Sequence, residues 1–494
     1  MDKRVTARSL LEMVRRAEPD RTVIVNCDAA DQPVTTYGQL AELVDRARES
    51  LTGWQARSGD VVGICGENSA QWVAWDVAAA DLGIRLMPFA EPMSVEAAAA
   101  AMVEYDLSLF LLEVDTGAAL VPGVVDFGGS GSGQARPATG RWASLDDDVH
   151  SLIFSSGTAG TTKGLEVSWQ GTEYVVSRFV RDYALDADDM NLIFIPFVSY
   201  QQRLSVYAAL ASGSAVALTS YKRVFAAMQA AEPTFLIGPP VFFETLLKLA
   251  SARDPRTGLQ QSTGPRMRFM VTGMAPIKQS VVQSFWDQGR PLLEAYGMNE
   301  SGMIAWNTPT THRLGTVGRL LDSDHVAIVD GELLVKREFP LSRRYFQADA
   351  HIAEATYRDD GTIASGDLAA IDSDGYVTLH GRVGDLVALP NGEKVSPVDV
   401  ESAYADIDGV SDIVVCAGGP GRRLAAVVTL DDGSTIENVR AALDARASTL
   451  ADSYRLGNLV PSDTSPRVQP EFLTANLKLS RVAVQRFVDA HLHS

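Results

Sequence analysis

Cysteine is scarce in this sequence. The 494 residues contain only Cys27, Cys65 and Cys416, and their spacing is not that of a metal site. This scarcity argues against a disulfide framework and favours reduced, unpaired thiols in a cytoplasmic setting. Long apolar runs are also missing: none reaches the ~18 residues that a membrane-spanning helix needs, and the chain after Met1 has no apolar signal core. We therefore predict a cytoplasmic protein without a membrane span.

Positive charge is in short supply as well. There are 43 lysine and arginine residues against 62 aspartate and glutamate residues, which gives a net charge of −19. Because nucleic acids bind basic surfaces, this balance argues against nucleic acid as a main partner and is typical of a solvated surface. The length, with 46% hydrophobic and 21% charged residues, suits a globular protein of two or more domains.

Short apolar runs alternate with helical patterns over most of the chain. Residues 60–65 predict a buried strand and residues 71–82 a helix, and the same rhythm returns over residues 233–249. This βαβ rhythm predicts an α/β fold. From about residue 311, short alternating runs separated by turn residues indicate a β-rich subdomain. A final segment that begins near Asp385 predicts a small α/β unit.

A loop rich in serine, threonine and glycine follows the strand predicted at residues 151–154. Small residues let the backbone approach a phosphate, hydroxyl and amide groups can donate to its oxygens, and Lys163 adds positive charge. The loop differs from a P-loop, because Thr162 precedes Lys163 and Gly164 follows it. By composition alone it is equally typical of a flexible linker. Its candidate phosphate-binding residues are Ser155, Ser156, Gly157, Thr158, Thr161, Thr162 and Lys163.

Four further segments carry groups that suit a nucleotide. Tyr296 could stack on a base, and Glu300 could hold Mg²⁺, which prefers hard oxygen ligands and shared phosphates. Asp367 follows a tight turn and could accept hydrogen bonds from ribose hydroxyls. Arg382 lies beside a flexible joint, and Lys478 supplies a cation near the end of the chain. Each could also be ordinary, as a packing tyrosine, a turn aspartate or a solvated lysine, but their joint occurrence in this order favours a functional set.

In this order the segments resemble those of the adenylate-forming superfamily, which includes acyl-CoA synthetases, peptide-synthetase adenylation domains and luciferases. The resemblance covers nearly the whole chain and is strongest to the long-chain acyl-CoA synthetase branch. It implies a large N-terminal domain of α/β layers with a β-rich subdomain over residues 1–384, and a small mobile α/β domain over residues 385–494. The segments that carry it are 34–37, 58–60, 68–69, 155–164, 273–276, 296–300, 315–318, 365–367, 381–382 and Lys478.

The resemblance implies an ATP-dependent, AMP-forming ligase. In this superfamily a carboxylate attacks the α-phosphate of ATP, pyrophosphate leaves, and a second nucleophile takes the acyl group from the adenylate. The leading expectation is a small-molecule acid as substrate and CoA as acceptor, with ATP and Mg²⁺ as cofactors. A monomer or a homodimer is the ordinary expectation for the quaternary state.

The resemblance also implies roles for single residues. The serine- and threonine-rich loop would hold the β and γ phosphates, and Glu300 would bind Mg²⁺ with Asn299 beside it. Asp367 and Arg382 would hold the ribose, and Asp385 would be the hinge. Lys478 would bridge the attacking carboxylate and the α-phosphate. The adenine site would be lined by Gly273, Met274, Ala275, Pro276, Tyr296 and Gly297, and the acid pocket by Ser199, Tyr200, Val241, Phe242 and Met298.

Several positions depart from the pattern of the superfamily. Ser199 stands where a histidine beside the acyl site is usual, and Asn299 replaces the usual threonine before Glu300. In the phosphate loop, Ala159 replaces threonine and Thr162 replaces proline, while Gly384 replaces a lysine next to the hinge. These changes predict a specialised, biosynthetic member that acts on an unusual acid.

Two alternatives stay open. One keeps adenylation but changes the acceptor or the oxyanion, as in carrier-protein loading, amide formation or nitrite-dependent diazotisation of an aromatic amine. The other is an adenylate-binding protein without turnover. Retention of Lys478, Glu300 and Asp367 argues against the second.

Overall fold

The computed structural model describes residues 7–29, 31, 33–114, 119–128, 133–137, 139–156, 162–389, 393–418, 424–431, 433–473 and 479–492. By its internal contacts the chain divides into two compact units. Unit 1 comprises Met1–Ser155, Gly164–Leu321 and Arg337–Asp349, and unit 2 comprises Ser156–Lys163, Asp322–Lys336 and Ala350–Ser494. The division at residues 384 and 385 stays a prediction.

Strands and helices alternate along the first 300 residues. The strands are β1 (Thr22–Asn26), β2 (Val34–Thr36), β3 (Val61–Cys65), β4 (Arg85–Pro88), β5 (Leu109–Leu112), β6 (Val124–Asp126), β7 (Val149–Ser156), β8 (Thr162–Ser168), β9 (Met190–Ile193), β10 (Ala215–Leu218), β11 (Phe235–Gly238), β12 (Phe269–Thr272) and β13 (Leu292–Met298). The helices are α1 (Ala7–Arg16), α2 (Tyr37–Gly53), α3 (Ala70–Asp81), α4 (Val95–Glu104), α5 (Trp169–Asp182), α6 (Tyr200–Ser212), α7 (Val224–Ala231), α8 (Pro240–Arg253), α9 (Gly258–Thr263) and α10 (Gln279–Asp287).

The rest of the chain is richer in strands. These are β14 (Gly302–Trp306), β15 (Arg319–Leu320), β16 (Val326–Val329), β17 (Glu332–Val335), β18 (Ser342–Gln347), β19 (Ile363–Ile371), β20 (Val377–Arg382), β21 (Val387–Ala388), β22 (Lys394–Val395), β23 (Val410–Ala417), β24 (Leu424–Leu430) and β25 (Leu456–Ser462). The helices are α11 (Ala350–Thr356), α12 (Pro397–Ala403), α13 (Ile436–Ser448) and α14 (Arg481–Leu492).

One sheet of unit 1 has the strand order β15-β14-β13-β12-β11-β9-β10-β1-β2. From β1 to β13 its neighbouring strands run parallel, whereas β2, β14 and β15 pair in antiparallel fashion at the edges. Every residue of β10, β11 and β12 is buried, as expected for parallel strands that are covered on both faces. The carboxyl ends of such strands meet at one edge, where open α/β sheets bind their ligands.

A second sheet of unit 1 has the order β18-β8-β7-β4-β3-β5-β6. Its β7, β4, β3, β5 and β6 neighbours are parallel, and β18 closes one side by pairing with β8 in antiparallel fashion. The predicted strand at residues 60–65 is β3, and the predicted helix at residues 71–82 is α3. This helix begins where the Ser69 hydroxyl accepts a hydrogen bond from the backbone N–H of Trp72 at 3.1 Å.

Unit 2 is built on smaller sheets with the orders β16-β17-β19-β20, β21-β22 and β23-β24-β25. Two buried apolar clusters of unit 2 consist only of residues from Val387 onwards. One contains Val400 and Val428, and the other contains Val414 and Val488. The α/β fold class, with a large N-terminal α/β part and later β-rich and smaller α/β parts, is confirmed.

Two predictions from composition concern the three cysteines and membrane-spanning helices. Cys27, Cys65 and Cys416 are buried and carry free thiols. Within the described ranges, no helix combines the length and the apolar character required to traverse a lipid bilayer.

Candidate active site

The predicted adenine loop directly follows the carboxyl end of β12. A Cβ atom on Gly273 would lie 2.9 Å from the backbone oxygen of Ala295, so the loop backbone can approach β13 this closely only without a side chain. A Cβ atom on Gly297 would similarly lie 2.8 Å from the oxygen of Gly302. Tyr296, between these close approaches, is 8% exposed. Glycine is therefore required on both sides of the predicted stacking tyrosine.

Met274 is the unusual residue of this loop. Its φ of +72° is in the left-handed region, which costs a residue with a Cβ about 1 kcal/mol or more. Its side chain is nevertheless 38% exposed, and Ala275 and Pro276 after it are exposed too. A strained, solvent-facing methionine at the carboxyl edge of the sheet is therefore a candidate for contact with a ligand.

Glu300 lies in the turn of the hairpin that joins β13 and β14. The strands pair Met298 with Gly302, which leaves Asn299, Glu300 and Ser301 in the turn. Glu300 is 9% exposed, and its Oε1 atom accepts a hydrogen bond of 2.5 Å from the hydroxyl of Tyr345 in β18. The turn thus presents one carboxylate held in a fixed orientation.

A buried arginine supports the same hairpin. Arg337 donates from Nη1 to the backbone oxygens of Ser301, at 3.2 Å, and Met303, at 2.9 Å. Its guanidinium carbon lies 4.9 Å from the ring centre of Tyr174. Because these bonds bind both sides of residue 302, they fix the position of the turn that carries Glu300.

A second buried carboxylate lies at the start of β13. Glu294 is 9% exposed, and its Oε2 atom accepts a hydrogen bond of 3.1 Å from the Gln279 amide. The Oε1 atom of Gln279 in turn accepts from the backbone N–H of Gly315 at 2.8 Å. Burial raises the pKa of Glu294 to about 7. Glu294 thereby connects β13, α10 and the loop at residues 315–318.

The phosphate loop is described only at its two ends. Ser155 and Lys163 are half-buried, and the backbone of Ser156 and Thr162 ends β7 and begins β8. The candidates Gly157, Thr158 and Thr161 lie outside the described residues, as does the departure at Ala159.

The strand that enters the phosphate loop is anchored by a buried polar network. His150 of β7 stacks on Trp169 with ring centres 3.7 Å apart, and its Nε2 atom lies 3.1 Å from the Thr172 hydroxyl and 2.9 Å from the Tyr200 hydroxyl. Burial, and next the charge of Arg203, lowers the pKa of His150 well below its usual value, so the imidazole is neutral. The network therefore joins β7 to α5 and α6.

The acid-pocket candidates differ in burial. Tyr200 is 3% exposed within this network, and Phe242 is 0% exposed in a cluster with Phe194 and Phe243. Ser199, Val241 and Met298 are half-buried. The side chains of Tyr200 and Phe242 therefore belong to the core of unit 1, and the assignment of all five residues to an acid pocket stays a prediction.

In unit 2 the two predicted ribose residues lie together. Asp367 of β19 and Arg382 of β20 are partners in the antiparallel register, and the Arg382 Nε atom donates to Asp367 Oδ1 at 2.7 Å. Arg382 Nη2 also donates to the Ser365 oxygen at 3.1 Å. The arginine side chain is 41% exposed and that of the aspartate 18%, so the pair presents both an acceptor and a donor to solvent.

The predicted hinge, Asp385, and the predicted catalytic lysine, Lys478, both belong to the last part of the sequence. Asp385 ends a short 3₁₀ turn at Val383–Asp385, and its Oδ2 atom lies 3.6 Å from the Nε atom of Arg481. Lys478 lies outside the described residues, although Leu473 and Leu479 on either side of it form a β-bridge.

Sequence patterns did not find the residues that hold these groups. Tyr345 is 45 residues beyond Glu300, and Arg337 is 36 residues beyond Ser301. Neither lies in a segment with a recognisable motif, because contacts between distant strands leave no local periodicity. The glutamate at 294 stands in the tyrosine segment, but its hydrogen-bond partner, Gln279, lies in α10, 15 residues earlier.

Comparisons with known proteins agree with this arrangement. The sequence profile described as AMP-binding enzyme matches residues 11–338. A long-chain-fatty-acid–CoA ligase of Mycobacterium bovis is 23% identical over 84% of this chain and 80% of its own length. A 3-[(3aS,4S,7aS)-7a-methyl-1,5-dioxo-octahydro-1H-inden-4-yl]propanoyl:CoA ligase of Rhodococcus jostii is 25% identical over 85% of this chain and 87% of its own.

Among solved structures, the fold resembles that of ATP-bound MatB from Rhodopseudomonas palustris. The TM-score is 0.79, the identity is 21%, and the alignment covers 98% of this chain and 100% of the other. The low identities fit the prediction of a divergent member of the adenylate-forming superfamily. The profile covers about two thirds of the sequence and therefore shows the family. The likeness to solved structures alone would show only the fold. The chain belongs to the AMP-binding enzyme family and is an ATP-dependent, AMP-forming ligase.

Proposed function

We propose that this ligase activates a carboxylic acid as its acyl-adenylate and transfers the acyl group to CoA. In the first step a carboxylate oxygen bonds to the α-phosphorus of ATP, and the bond from that phosphorus to the bridging oxygen breaks, so pyrophosphate leaves with the electron pair. In the second step the CoA sulfur bonds to the acyl carbon and the thiol gives up its proton. The bond from that carbon to the phosphate oxygen breaks, so AMP leaves with the electron pair. CoA is chosen as acceptor because the two similar ligases from Mycobacterium bovis and Rhodococcus jostii are named as CoA ligases.

The observation that carries the proposal is the fixed Glu300 carboxylate four residues after Tyr296. Mg²⁺ in nucleotide enzymes is usually held by one or two carboxylates and by substrate phosphates. A single, largely buried carboxylate that is oriented by a tyrosine hydroxyl fits that requirement. When bound, Mg²⁺ would neutralise phosphate charge.

The other roles follow within each unit. In unit 1, Gly273, Met274 and Tyr296 would line the adenine. In unit 2, Asp367 would accept from the ribose hydroxyls, and Arg382 would orient its carboxylate through the bond of 2.7 Å. Nucleotidyl transfer depends on positioning and on charge neutralisation more than on covalent help, so a set of oriented donors and acceptors is sufficient.

Lys478 would supply the positive charge between the attacking carboxylate and the α-phosphate. We expect ATP–pyrophosphate exchange when the right acid is present, and loss of most of that exchange in Lys478→Ala. Lys248→Ala is the matched control, because Lys248 is exposed on α8 and belongs to none of the proposed groups. Full exchange in Lys478→Ala would overturn the role of this lysine.

The acid should be identified by a panel in a pyrophosphate-release assay. The panel would include fatty, aryl, dicarboxylic and amino acids, and nitrite with an aromatic amine. Nitrite is included because Ser199 stands at the start of α6 without a capping bond from its hydroxyl, in place of a histidine. Release with an acid, followed by formation of its CoA thioester, would support the proposal. Release without thioester would instead favour another acceptor, and no release at all would favour an adenylate-binding protein.

A further inference from the structure

The predicted ribose acceptor lies in a bulge of β19. The register of β17 with β19 shifts between two pairs of residues, Leu334 with Ala364 and Glu332 with Leu368. Three residues of β19, at positions 365–367, therefore face the single residue of β17 that lies between these pairs. A bulge leaves backbone N–H and C=O groups outside the ladder of hydrogen bonds, so other groups of the protein have to satisfy them.

Glu332 of β17 supplies the partner for the middle of this bulge. Gly366 has a φ of +70°, in the left-handed region, and its backbone N–H donates to the Oε1 atom of Glu332 at 2.9 Å. Hydrogen bonds from backbone N–H groups to carboxylates are among the stronger ones in proteins. The Oε2 atom of Glu332 lies 3.4 Å from Nη2 of Arg358, whose side chain is 43% exposed, whereas that of Glu332 is 20% exposed. The bond to Gly366 is therefore the shorter and better shielded of these two contacts.

Asp367, the next residue, is bonded to the other side of the bulge. Its backbone N–H donates to the Ser365 hydroxyl at 3.0 Å, and its Oδ1 atom accepts from Arg382 Nε at 2.7 Å. Arg382 Nη2 also donates to the Ser365 backbone oxygen at 3.1 Å. These bonds fix Asp367 relative to Ser365 and β20. The bond between Gly366 and Glu332 joins the same bulge to β17, so the bulge is held from both neighbouring strands.

We infer that Glu332 is a positioning residue for ribose recognition, because through Gly366 it sets the direction of the adjacent Asp367 carboxylate. This inference rests on the proposed function, in which Asp367 accepts hydrogen bonds from the ribose hydroxyls. A hydrogen bond weakens steeply when donor and acceptor are misaligned, so a small rotation of the bulge would weaken the contact with the ribose. The proposed contacts with the base and the phosphates do not involve the bulge. The effect of Glu332 is therefore confined to nucleotides that carry the ribose hydroxyls.

The test measures the binding of AMP and of dideoxy-AMP, which lacks both ribose hydroxyls, by calorimetry without acid or CoA. The ratio of the two dissociation constants isolates the contact with the ribose hydroxyls. Glu332→Gln keeps an oxygen within reach of the Gly366 N–H, whereas Glu332→Asp keeps the carboxylate but is one methylene shorter and withdraws it. Asp367→Ala gives the ratio expected without the ribose acceptor. The thermal unfolding midpoint of each variant is measured alongside.

We expect the wild type to bind AMP about tenfold or more tightly than dideoxy-AMP, since the hydroxyls bond to a carboxylate. Glu332→Asp should lose most of this preference, with AMP weakened about fivefold or more and dideoxy-AMP less than about twofold, while Glu332→Gln keeps the wild-type ratio within about twofold.

Three results would overturn the inference: a wild-type ratio in Glu332→Asp, an equal weakening of both nucleotides in that variant, or a loss of the preference in Glu332→Gln. The first would show that the bond to Gly366 does not orient Asp367, the second that Glu332 acts only on stability, and the third that the carboxylate rather than its reach matters. A wild type that binds both nucleotides equally, or neither, would instead overturn the ribose contact of the proposed function, and the inference with it.

Discussion

The hydroxyl of Tyr345 donates a hydrogen bond of 2.5 Å to the Oε1 atom of Glu300. Tyr345 lies in β18, a strand of the second sheet of unit 1, whereas Glu300 lies in the turn after β13 of the first. The bond therefore joins the two sheets at the one carboxylate proposed to hold Mg²⁺. A carboxylate that accepts such a bond is held in one direction.

Replacement Tyr345→Phe should weaken the response to Mg²⁺. A hydrogen bond to a charged group contributes about 1.5–3 kcal/mol, so the Mg²⁺ concentration for half-maximal exchange should rise by about tenfold to a hundredfold. The measurement is a Mg²⁺ titration of pyrophosphate exchange at saturating ATP and acid. Tyr183→Phe is the control, because its hydroxyl is also buried but donates to the backbone oxygen of Asn307. An unchanged Mg²⁺ requirement in Tyr345→Phe would remove the support for a metal at Glu300.

Met274→Gly should stabilise the protein and weaken nucleotide binding. Glycine adopts a φ of +72° without the strain of a Cβ atom, which stabilises the folded state. Glycine also gives the unfolded chain more conformational entropy, so the net increase in the free energy of unfolding is about 0.5–1 kcal/mol. If Met274 packs on the adenine, KM for ATP should rise by several-fold. The control is Ala184→Gly, an exposed residue at φ +49° after α5, which should stabilise without any change in KM. A rise in KM of equal size in both variants would contradict the assignment of Met274.

Glu294 should make stability fall as pH rises. The folded protein holds this proton up to about pH 7, whereas the unfolded chain releases it near 4.5. Unfolding therefore releases a proton between these values, and the free energy of unfolding decreases across that window by about 3 kcal/mol before it levels off.

Denaturant unfolding of wild type and Glu294→Gln at pH 5 and pH 8 measures this effect. We expect the loss between the two pH values to shrink by about 2–3 kcal/mol in Glu294→Gln, since its amide does not titrate. Glu42→Gln, an exposed position on α2, should keep the wild-type loss. A pH dependence in Glu294→Gln that equals the wild type would show that this carboxyl titrates normally.

Arg203 and Asp76 should show strong energetic coupling. Their side chains are 1% and 6% exposed, with Nη2 of the arginine 2.6 Å from Oδ1 of the aspartate. Removal of either charge alone leaves the other buried, which costs about 3–5 kcal/mol, while removal of both costs less than the sum. A double-mutant cycle with Arg203→Met and Asp76→Leu measures the coupling. The exposed pair Arg16–Glu12 should give less than about 1 kcal/mol in the same experiment.

Local patterns were sufficient for the elements but insufficient for the site. The buried strand at Val61–Cys65 and the helix at Ala70–Asp81 follow from runs of apolar residues and a serine cap, which act over a few positions. The sequence predicted only that Asp367 and Arg382 share a role in binding ribose. Their contact follows from the register of β19 and β20, in which the two residues are partners. Tyr345 and Arg337 act across strands that are far apart in sequence, so no window of the sequence contains both partners.

The acid-pocket candidates illustrate the same limit. Phe242 stands in an apolar run after Pro240, and a run of this kind gives no indication of whether a ring faces a cavity or the core. In the fold, α8 directs it against Phe194, with ring centres 4.7 Å apart. Burial of a side chain is decided by the elements that pack on it, and those elements come from other parts of the chain.

The three buried thiols have a practical consequence for measuring the second half-reaction. Burial raises the pKa of Cys65 and of Cys416 to about 12 and also raises that of Cys27, so the folded protein offers almost no thiolate near neutral pH. A chromogenic disulfide reagent added to samples withdrawn from the reaction should therefore develop colour in proportion to the CoA thiol that has not yet reacted. The same property makes the chain a clean background for a single engineered cysteine, to which a fluorophore could be attached without first removing the native ones.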